Sequence, residues 1–328
     1  YAKGWYLRGI NDYEEGVRLK ASGMANKKHF EQSIKELLKS VKLLEETDSV
    51  QAGLGVFYTS RAYANLETKE SYSLSLSLLE RLITGNSFIF KQLPNQGEIL
   101  YTKSWIAFQL YEIDNKQDYL HIAQESIKQT LEEFPNNSSI DASLNLLGNI
   151  QYKLGEYEQA EDTFVKLANK YPDSPLASQA WFWASECADW QHKAPESIRF
   201  YRMQVFEKYP TSPFAPEAYF NFYSFAEYLN GDSQALHHLE KMPEKYPYSP
   251  SSSIAYYLLG LNYKKLGESN LNIQQLQRAV ISFENAAKLF ETNNEINFIP
   301  KEQFEYHLTV YFRSLLESGL THLSLANQ

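Results

Sequence analysis

The chain contains a single cysteine, so it has no intrachain disulfide, and a lone thiol is compatible with either redox compartment. Cys187 stands between Trp183 and Trp190 in a helical stretch and is expected to be a small buried apolar residue. No run of apolar residues reaches the length of a membrane span. Phosphate-binding glycine loops, HExxH, CxxC and calcium-loop spacings are absent from the sequence. Gly53-Leu54-Gly55 begins like a dinucleotide loop, but Tyr58 stands where the third glycine is required and no strand precedes it. His237-His238 is the only histidine pair, and adjacent helical residues point about 100° apart, which does not suit one shared metal. Glu14-Glu15, Glu45-Glu46 and Glu132-Glu133 read as solvated faces. The expected chemistry is therefore none: no catalytic residues, no metal and no cofactor. A basic stripe is missing too, since 31 Lys and Arg are interspersed with 40 Asp and Glu for a net charge of −9. That excludes the nucleic-acid backbone as a partner.

Proline and glycine are few, 12 and 14 in 328 residues, but they are placed in step. Phe134-Pro135-Asn136-Asn137-Ser138 is followed by Tyr171-Pro172-Asp173-Ser174-Pro175, Tyr209-Pro210-Thr211-Ser212-Pro213 and Tyr246-Pro247-Tyr248-Ser249-Pro250. The leading aromatics are 37, 38 and 37 residues apart. Each interval is long enough for two helices and two turns. The clearest unit runs from Leu144 to Pro175. Leu144, Leu147, Gly148 and Tyr152 share one face of a first helix. Gly148 lets a partner helix approach closely, and Gly155 closes the helix in the left-handed conformation. A second helix from Tyr157 carries Ala160, Phe164 and Leu167 as one stripe. Pro172 stops it, and Ser174 with Pro175 reads as the N-cap and first residue of the next helix. In order, Leu147-Gly148, Ala160, Phe164 and Pro172 resemble the tetratricopeptide pattern, whose period is about 34 residues.

Diluted copies surround this unit. Residues 1–45 read as a first pair with a long turn at Ser22–Asn26, residues 49–84 as a second, and 99–134 as a third, with a loop expected at 86–98. Tyr72–Leu78 alternates with period two, a strand signal, but Leu74, Leu78 and Leu82 fit a helical stripe and a lone strand would find no partner. Residues 176–209 form a fifth pair whose turn lacks glycine and uses Pro195. The sixth, 214–246, has Tyr219, Phe222 and Tyr223 in its first helix, a turn at Gly231, and Pro243 placed to kink or shorten its second. The seventh, 251–292, turns at Gly267 and carries seven extra residues before Ala279. A polar loop at 293–300 leads to a last helix from Lys301 that is expected to cap the stack. The expected architecture is thus an all-α, right-handed tetratricopeptide solenoid of about seven helix–turn–helix repeats and a C-terminal capping helix. Its parts are divergent repeats over 1–135, well-matched repeats over 136–292, and the capping region over 293–328.

Stacked pairs of this kind line a concave side with their first helices. In the register of Gly148, the fifth position of successive repeats is Asn145, Phe182, Phe220 and Tyr257. The twelfth and thirteenth are Tyr152 and Lys153, Asp189 and Trp190, Glu227 and Tyr228, and Lys264 and Lys265. From these the expected partner-binding residues are Asn145, Tyr152, Phe182, Trp190, Phe220, Tyr228, Tyr257 and Lys265, an aromatic column suited to an apolar peptide or helix of another protein. The alternative is that several of these rings fill the layers between helices.

The Tyr-Pro-x-Ser-Pro punctuation, followed by Leu176-Ala177-Ser178-Gln179-Ala180-Trp181, resembles tetratricopeptide proteins of the Gram-negative envelope, of the BamD and YbgF (CpoB) type. The likeness covers about residues 134–292. It implies a non-enzymatic protein–protein scaffold at the periplasmic side of an outer membrane, in envelope biogenesis or maintenance. The sequence opens at Tyr1 without an initiator Met, which fits a removed leader or membrane anchor. The alternative is a cytosolic adaptor that binds a peptide or small ligand in the same groove. A chaperone carboxylate clamp is not expected, because Asn145 and Asn149 lack the accompanying lysine.

Overall fold

The computed structural model describes residues 1–136, 139–295 and 304–326. Both Asn-x-Ser sequences at 136–139, most of the loop expected at 293–300 and the helix start expected at Lys301 include residues outside that range. Among the described residues every regular element is helical. The chain divides into two compact units, Tyr1–Leu176 and Ala177–Gln328.

The first unit contains α1 (Ala2–Ala21), α2 (Lys27–Leu44), α3 (Ser49–Ala64), α4 (Lys69–Glu80), α5 (Ser87–Phe90), α6 (Gln96–Asp114), α7 (Gln117–Glu133), α8 (Ile140–Lys153) and α9 (Tyr157–Lys170). Each long helix packs on the next, and α1 touches α3, α3 touches α6, and α6 touches α8. The first helices of successive pairs therefore lie side by side, which is the arrangement of a helical-repeat stack. Close approach within a pair depends on its small residue. Phe164 of α9 is fully buried, and its Cε1 lies 2.6 Å from where a Cβ on Gly148 would stand. Burying a ring of that size contributes about 2–3 kcal/mol.

The second unit contains α10 (Ala177–Trp190), α11 (Pro195–Lys208), α12 (Ala215–Phe220), α13 (Phe225–Asn230), α14 (Ser233–Lys245), α15 (Pro250–Asn270), α16 (Ile273–Glu295) and α17 (Phe304–Ala326). α10 pairs with α11, α12 and α13 with α14, and α15 with α16, while α17 rests on α15 and α16. Gly260 of α15 repeats the socket, with Phe283 Cε1 2.5 Å from the absent Cβ. The punctuation serines act alike. Ser174, Ser212 and Ser249 each accept a bond from the backbone N–H two residues on, at 3.2 Å. Among the described residues seven pairs and a last helix are present, and the period-two stretch at Tyr72–Leu78 is helical, inside α4.

Five expectations need correction. Residues 86–98 are not a plain loop. A π-helical turn at Arg81–Gly85 and then α5 carry Phe90 and Leu93 into the core, and that burial outweighs the polar composition. α10 starts at Ala177, not at Pro175. Pro243 does not shorten α14, which runs to Lys245. α15 does not turn at Gly267, because Gly267 is a second socket, with Leu276 Cγ 2.7 Å from its absent Cβ, and the turn falls at Leu271 with φ 50°. The sixth first helix is not continuous but splits into α12 and α13. The fifth turn, which lacks glycine, places His192 at φ 51°, where the fourth pair uses Gly155 at φ 78°. Cys187 is buried.

Candidate functional site

The break between α12 and α13 organises the polar chemistry of the second unit. Counting from Gly148 and Gly260, the residue at the socket position of the sixth pair is Tyr223. The fifth pair carries Ser185 at this position and keeps α10 unbroken, whereas a phenol is far larger than glycine or serine, and here the helix opens at 221–224. Ser224 then restarts it as a capping box. Its Oγ accepts from Glu227 N–H at 3.3 Å, and Glu227 Oε2 accepts from Ser224 N–H at 2.7 Å.

A helix end leaves its last four carbonyls without intrahelical donors. The carbonyls of Tyr219 to Phe222, at the end of α12 and just past it, each accept from a side chain, and Tyr219 O also accepts from the Phe222 N–H at 3.2 Å. His238 Nε2 donates to Tyr219 O at 2.8 Å, Tyr228 Oη to Phe220 O at 2.7 Å, Arg202 Nη1 to Asn221 O at 2.6 Å, and Arg199 Nε to Phe222 O at 3.3 Å. His238 also stacks on Tyr219 at 3.8 Å, and Tyr219 Oη donates back to His238 O at 3.2 Å. Donors reach the opening from α11, α13 and α14, so the split is held in place from three sides.

The two arginines also face a cleft of about 650 Å³ enclosed by α10, α11 and the break. Arg202 lies between Glu186 Oε1 at 3.4 Å and Asp189 Oδ2 at 3.2 Å. Arg199 pairs with Glu227, and its guanidinium carbon sits 4.8 Å over the Tyr223 ring. Burial raises the Glu186 carboxyl above the usual carboxylate range, against the pull of Arg202. Burial alone would raise Glu227 as well, but the Ser224 bonds and Arg199 hold it below that range. Burial lowers His238, in keeping with the neutral imidazole that its bond to Tyr219 O permits. Across the break lies a second hollow of about 500 Å³, lined by Tyr219, Tyr223, His237, His238 and Lys241. The site offers aromatic faces, fixed guanidinium groups and carboxylates at short range. Among the described residues no cluster of three or more His, Cys, Asp or Glu could hold a metal ion, and no helix is long and apolar enough to cross a membrane.

The residues expected from sequence are distributed differently. In the first unit, Asn145 is half-buried with no hydrogen-bond partner for its Oδ1. Tyr152 packs edge-on against Tyr157 at 5.4 Å, and Lys153 pairs with Glu112 at 3.0 Å. In the second unit, Phe182 is only 6% exposed, against Phe214, and Tyr228 only 1%, stacked on half-buried Phe220. Those two rings fill the layers and offer no surface, which corrects the expectation of an exposed aromatic column. Trp190 is 56% exposed, Tyr257 is half-buried against Phe283, Lys264 pairs with Glu317 at 2.7 Å, and Lys265 is exposed. Asp189 and Glu227 do reach the cleft. Arg199, Arg202, Tyr223 and His238 were missed. Tyr223 at a socket position was the available signal.

Helical pairs stacked through small-residue sockets define a helical-repeat protein. The tetratricopeptide repeat family matches residues 144–174, in the α8–α9 pair and the turn that follows it. No curated protein sequence matches the chain. Among solved structures, a tetratricopeptide repeat protein from Parabacteroides merdae is 14% identical, covering 92% of this chain and 99% of that one with a TM-score of 0.49. A Rap protein complexed with competence and sporulation factor is 16% identical, covering 98% and 76% with a TM-score of 0.44. Tetratricopeptide-like repeats of a kinesin light chain from Podospora anserina are 13% identical, covering 60% and 96%, also at 0.44. At these identities the likeness concerns the fold.

Proposed function

We propose that this protein is an interaction scaffold that takes a segment of a partner protein in the cleft beside the α12–α13 break. The observation that carries the reading is the cleft itself. A broken first helix exposes ring faces of Phe222 and Tyr223 next to Arg199 and Arg202, in a volume suited to several side chains of a bound segment. The guanidinium groups are already fixed by backbone carbonyls, so little ordering entropy is lost when a partner's carbonyl or carboxylate joins them.

The test is site-specific photo-crosslinking in native cells, with the probe at Lys193 on the cleft rim and a control at exposed Lys166 on α9. One discrete partner band from Lys193, lost on Phe222→Ala in the cleft wall, is the expected result. Equal bands from both positions would remove the cleft from consideration. We further propose that the scaffold works in the bacterial envelope, a reading supported by the Tyr-Pro-x-Ser-Pro punctuation. Fractionation of cells expressing the native gene separates this from a cytosolic adaptor. Release with the periplasmic fraction, or with outer membranes, is expected, and retention in the cytosol would refute it.

A further inference from the structure

α17 buries Val310, Ser314 and Thr321 on the side that rests on α15 and α16. Its other side is apolar and open. Phe312, Leu315, Leu316, Leu320 and Leu323 leave 44–63% of their surface exposed. With Gly319 they fall within an arc of about 140°, at about 100° per residue, and Gly319 lies near its middle. An end helix that capped the stack would present polar residues here.

The glycine carries the argument. Several helical glycines of this chain receive a large side chain from an antiparallel neighbour, although Gly4 of α1 receives none. Gly9 and Gly16 of α1 receive Leu37 and Phe30 of α2, and Gly260 and Gly267 of α15 receive Phe283 and Leu276 of α16. In both pairs the sockets and the incoming side chains are seven residues apart and run in opposite directions. Gly319 has no atom within 4 Å of the place a Cβ would occupy.

We propose that α17 is the contact helix of a two-fold homodimer, packed antiparallel on α17 of a second copy. Leu316 precedes Gly319 by three residues, so one antiparallel register seats Leu316 of each copy in the Gly319 socket of the other. The same register sets Phe312 beside Leu323 and Leu315 beside Leu320. Socket and knob on one face are what an isologous contact requires. The two Arg313 side chains would sit about 13 Å apart along the axis, too far to repel strongly. The exposed fractions of the five side chains amount to roughly 500 Å² per copy at about 180 Å² for a fully exposed large apolar residue, or roughly 1,000 Å² in all. That reaches the lower end of specific interfaces and gives a reversible dimer. A membrane surface suits the helix less well, because Phe304–Ala326 contains no lysine and one arginine where an interfacial helix is rich in both.

Sedimentation equilibrium of the full chain from about 1 to 100 µM tests this. The mass is expected to rise from one protomer toward two. Leu316→Glu, at an exposed position, should raise the dissociation constant at least tenfold while helicity and the unfolding midpoint stay as in the parent. Leu323→Glu provides a second variant should the first lose structure. The double variant Leu316→Cys/Gly319→Cys should form a disulfide-linked dimer on mild oxidation. A single-protomer mass throughout the range, or a dimer indifferent to both glutamates, overturns the proposal. A monomer whose α17 is covered by another protein or by lipid vesicles overturns it as well. The proposal does not rest on the α12–α13 cleft.

Discussion

In the seventh helical pair Gly260 lets Phe283 approach to 2.5 Å from the absent Cβ, and α15 runs unbroken over 21 residues. In the sixth pair Tyr223 holds the corresponding place, and the first helix stops after six residues at Phe220. The partner helices differ as well, α14 with 13 residues and α16 with 23. The ring of Tyr223 is the difference at the crossing position itself. At the break Arg199, Arg202, Tyr228 and His238 donate to the carbonyls of Tyr219 to Phe222. A local conflict between size and packing thus draws guanidinium groups to one place and opens a cleft there.

The strongest way to break this comparison is to give the seventh pair the residue of the sixth. Gly260→Tyr should cost about 3 kcal/mol or more, because Phe283 cannot yield without leaving a fully buried site. Urea denaturation followed by far-UV circular dichroism measures it. A loss below about 1 kcal/mol would show that a ring at this position is tolerated and that something else splits the sixth helix.

Within the sixth pair, Arg202→Ala removes the donor to Asn221 O and the partner of Glu186 and Asp189 together. A loss of about 2–3 kcal/mol is expected, since a backbone carbonyl and a half-buried carboxylate are left unpaired. Arg202→Lys should recover only part of it, because one ammonium cannot span three acceptors in different directions. Amide exchange at Tyr219–Ser224 should quicken in both variants. Unchanged exchange would mean that the arginine does not hold the break.

A smaller effect separates the caps of the two pairs. Ser224 caps α13 through a capping box, whereas Ser249 caps α15 with Pro250 following. Each serine-to-alanine change should cost about 1 kcal/mol in the unfolding free energy. Ser224→Ala should in addition raise exchange at Glu227, whose N–H loses its acceptor, while Ser249→Ala should leave the break untouched. Indistinguishable exchange maps would argue that α13 is held by packing alone.

Much of this was readable from the residues. Glycine opposite phenylalanine and the Tyr-Pro-x-Ser-Pro turns recur at near-equal spacing, so the number and order of pairs follow, even across the period-two stretch inside α4. Phe90 and Leu93 were missed because burial of a short segment is decided by distant helices, not by its own polar neighbours. Phe182 and Tyr228 were assigned to an open wall because repeat register fixes which way a residue points, but not whether the next layer covers it. The same limit applies to α17, whose apolar stripe is plain in sequence while its exposure among the described residues is not. The four carbonyl donors come from three helices and share no sequence pattern. Only Tyr223, too large for its position, announced them.

The finest distinction between the two pairs is a titration. The seventh pair fills its crossing with Phe283, which does not ionise, whereas the sixth places His238 against Tyr219 with burial lowering the imidazole below its ordinary value of 6.5. Folded chains then bind fewer protons than unfolded ones as the pH falls, so the contribution of neutral His238 is complete above about 6.5 and is lost as the pH drops below it. Glu186 is raised by burial and acts in the opposite sense over the carboxylate range, so the total pH profile does not isolate the imidazole. His238→Gln does isolate it, because the amide can still donate to Tyr219 O but does not titrate. Relative to this variant the parent should lose stability between pH 7 and pH 5, as a change of slope in unfolding midpoint against pH. Parallel curves for parent and His238→Gln would mean that the proton is bound equally in both states, and that the stacked imidazole is not held neutral by the fold.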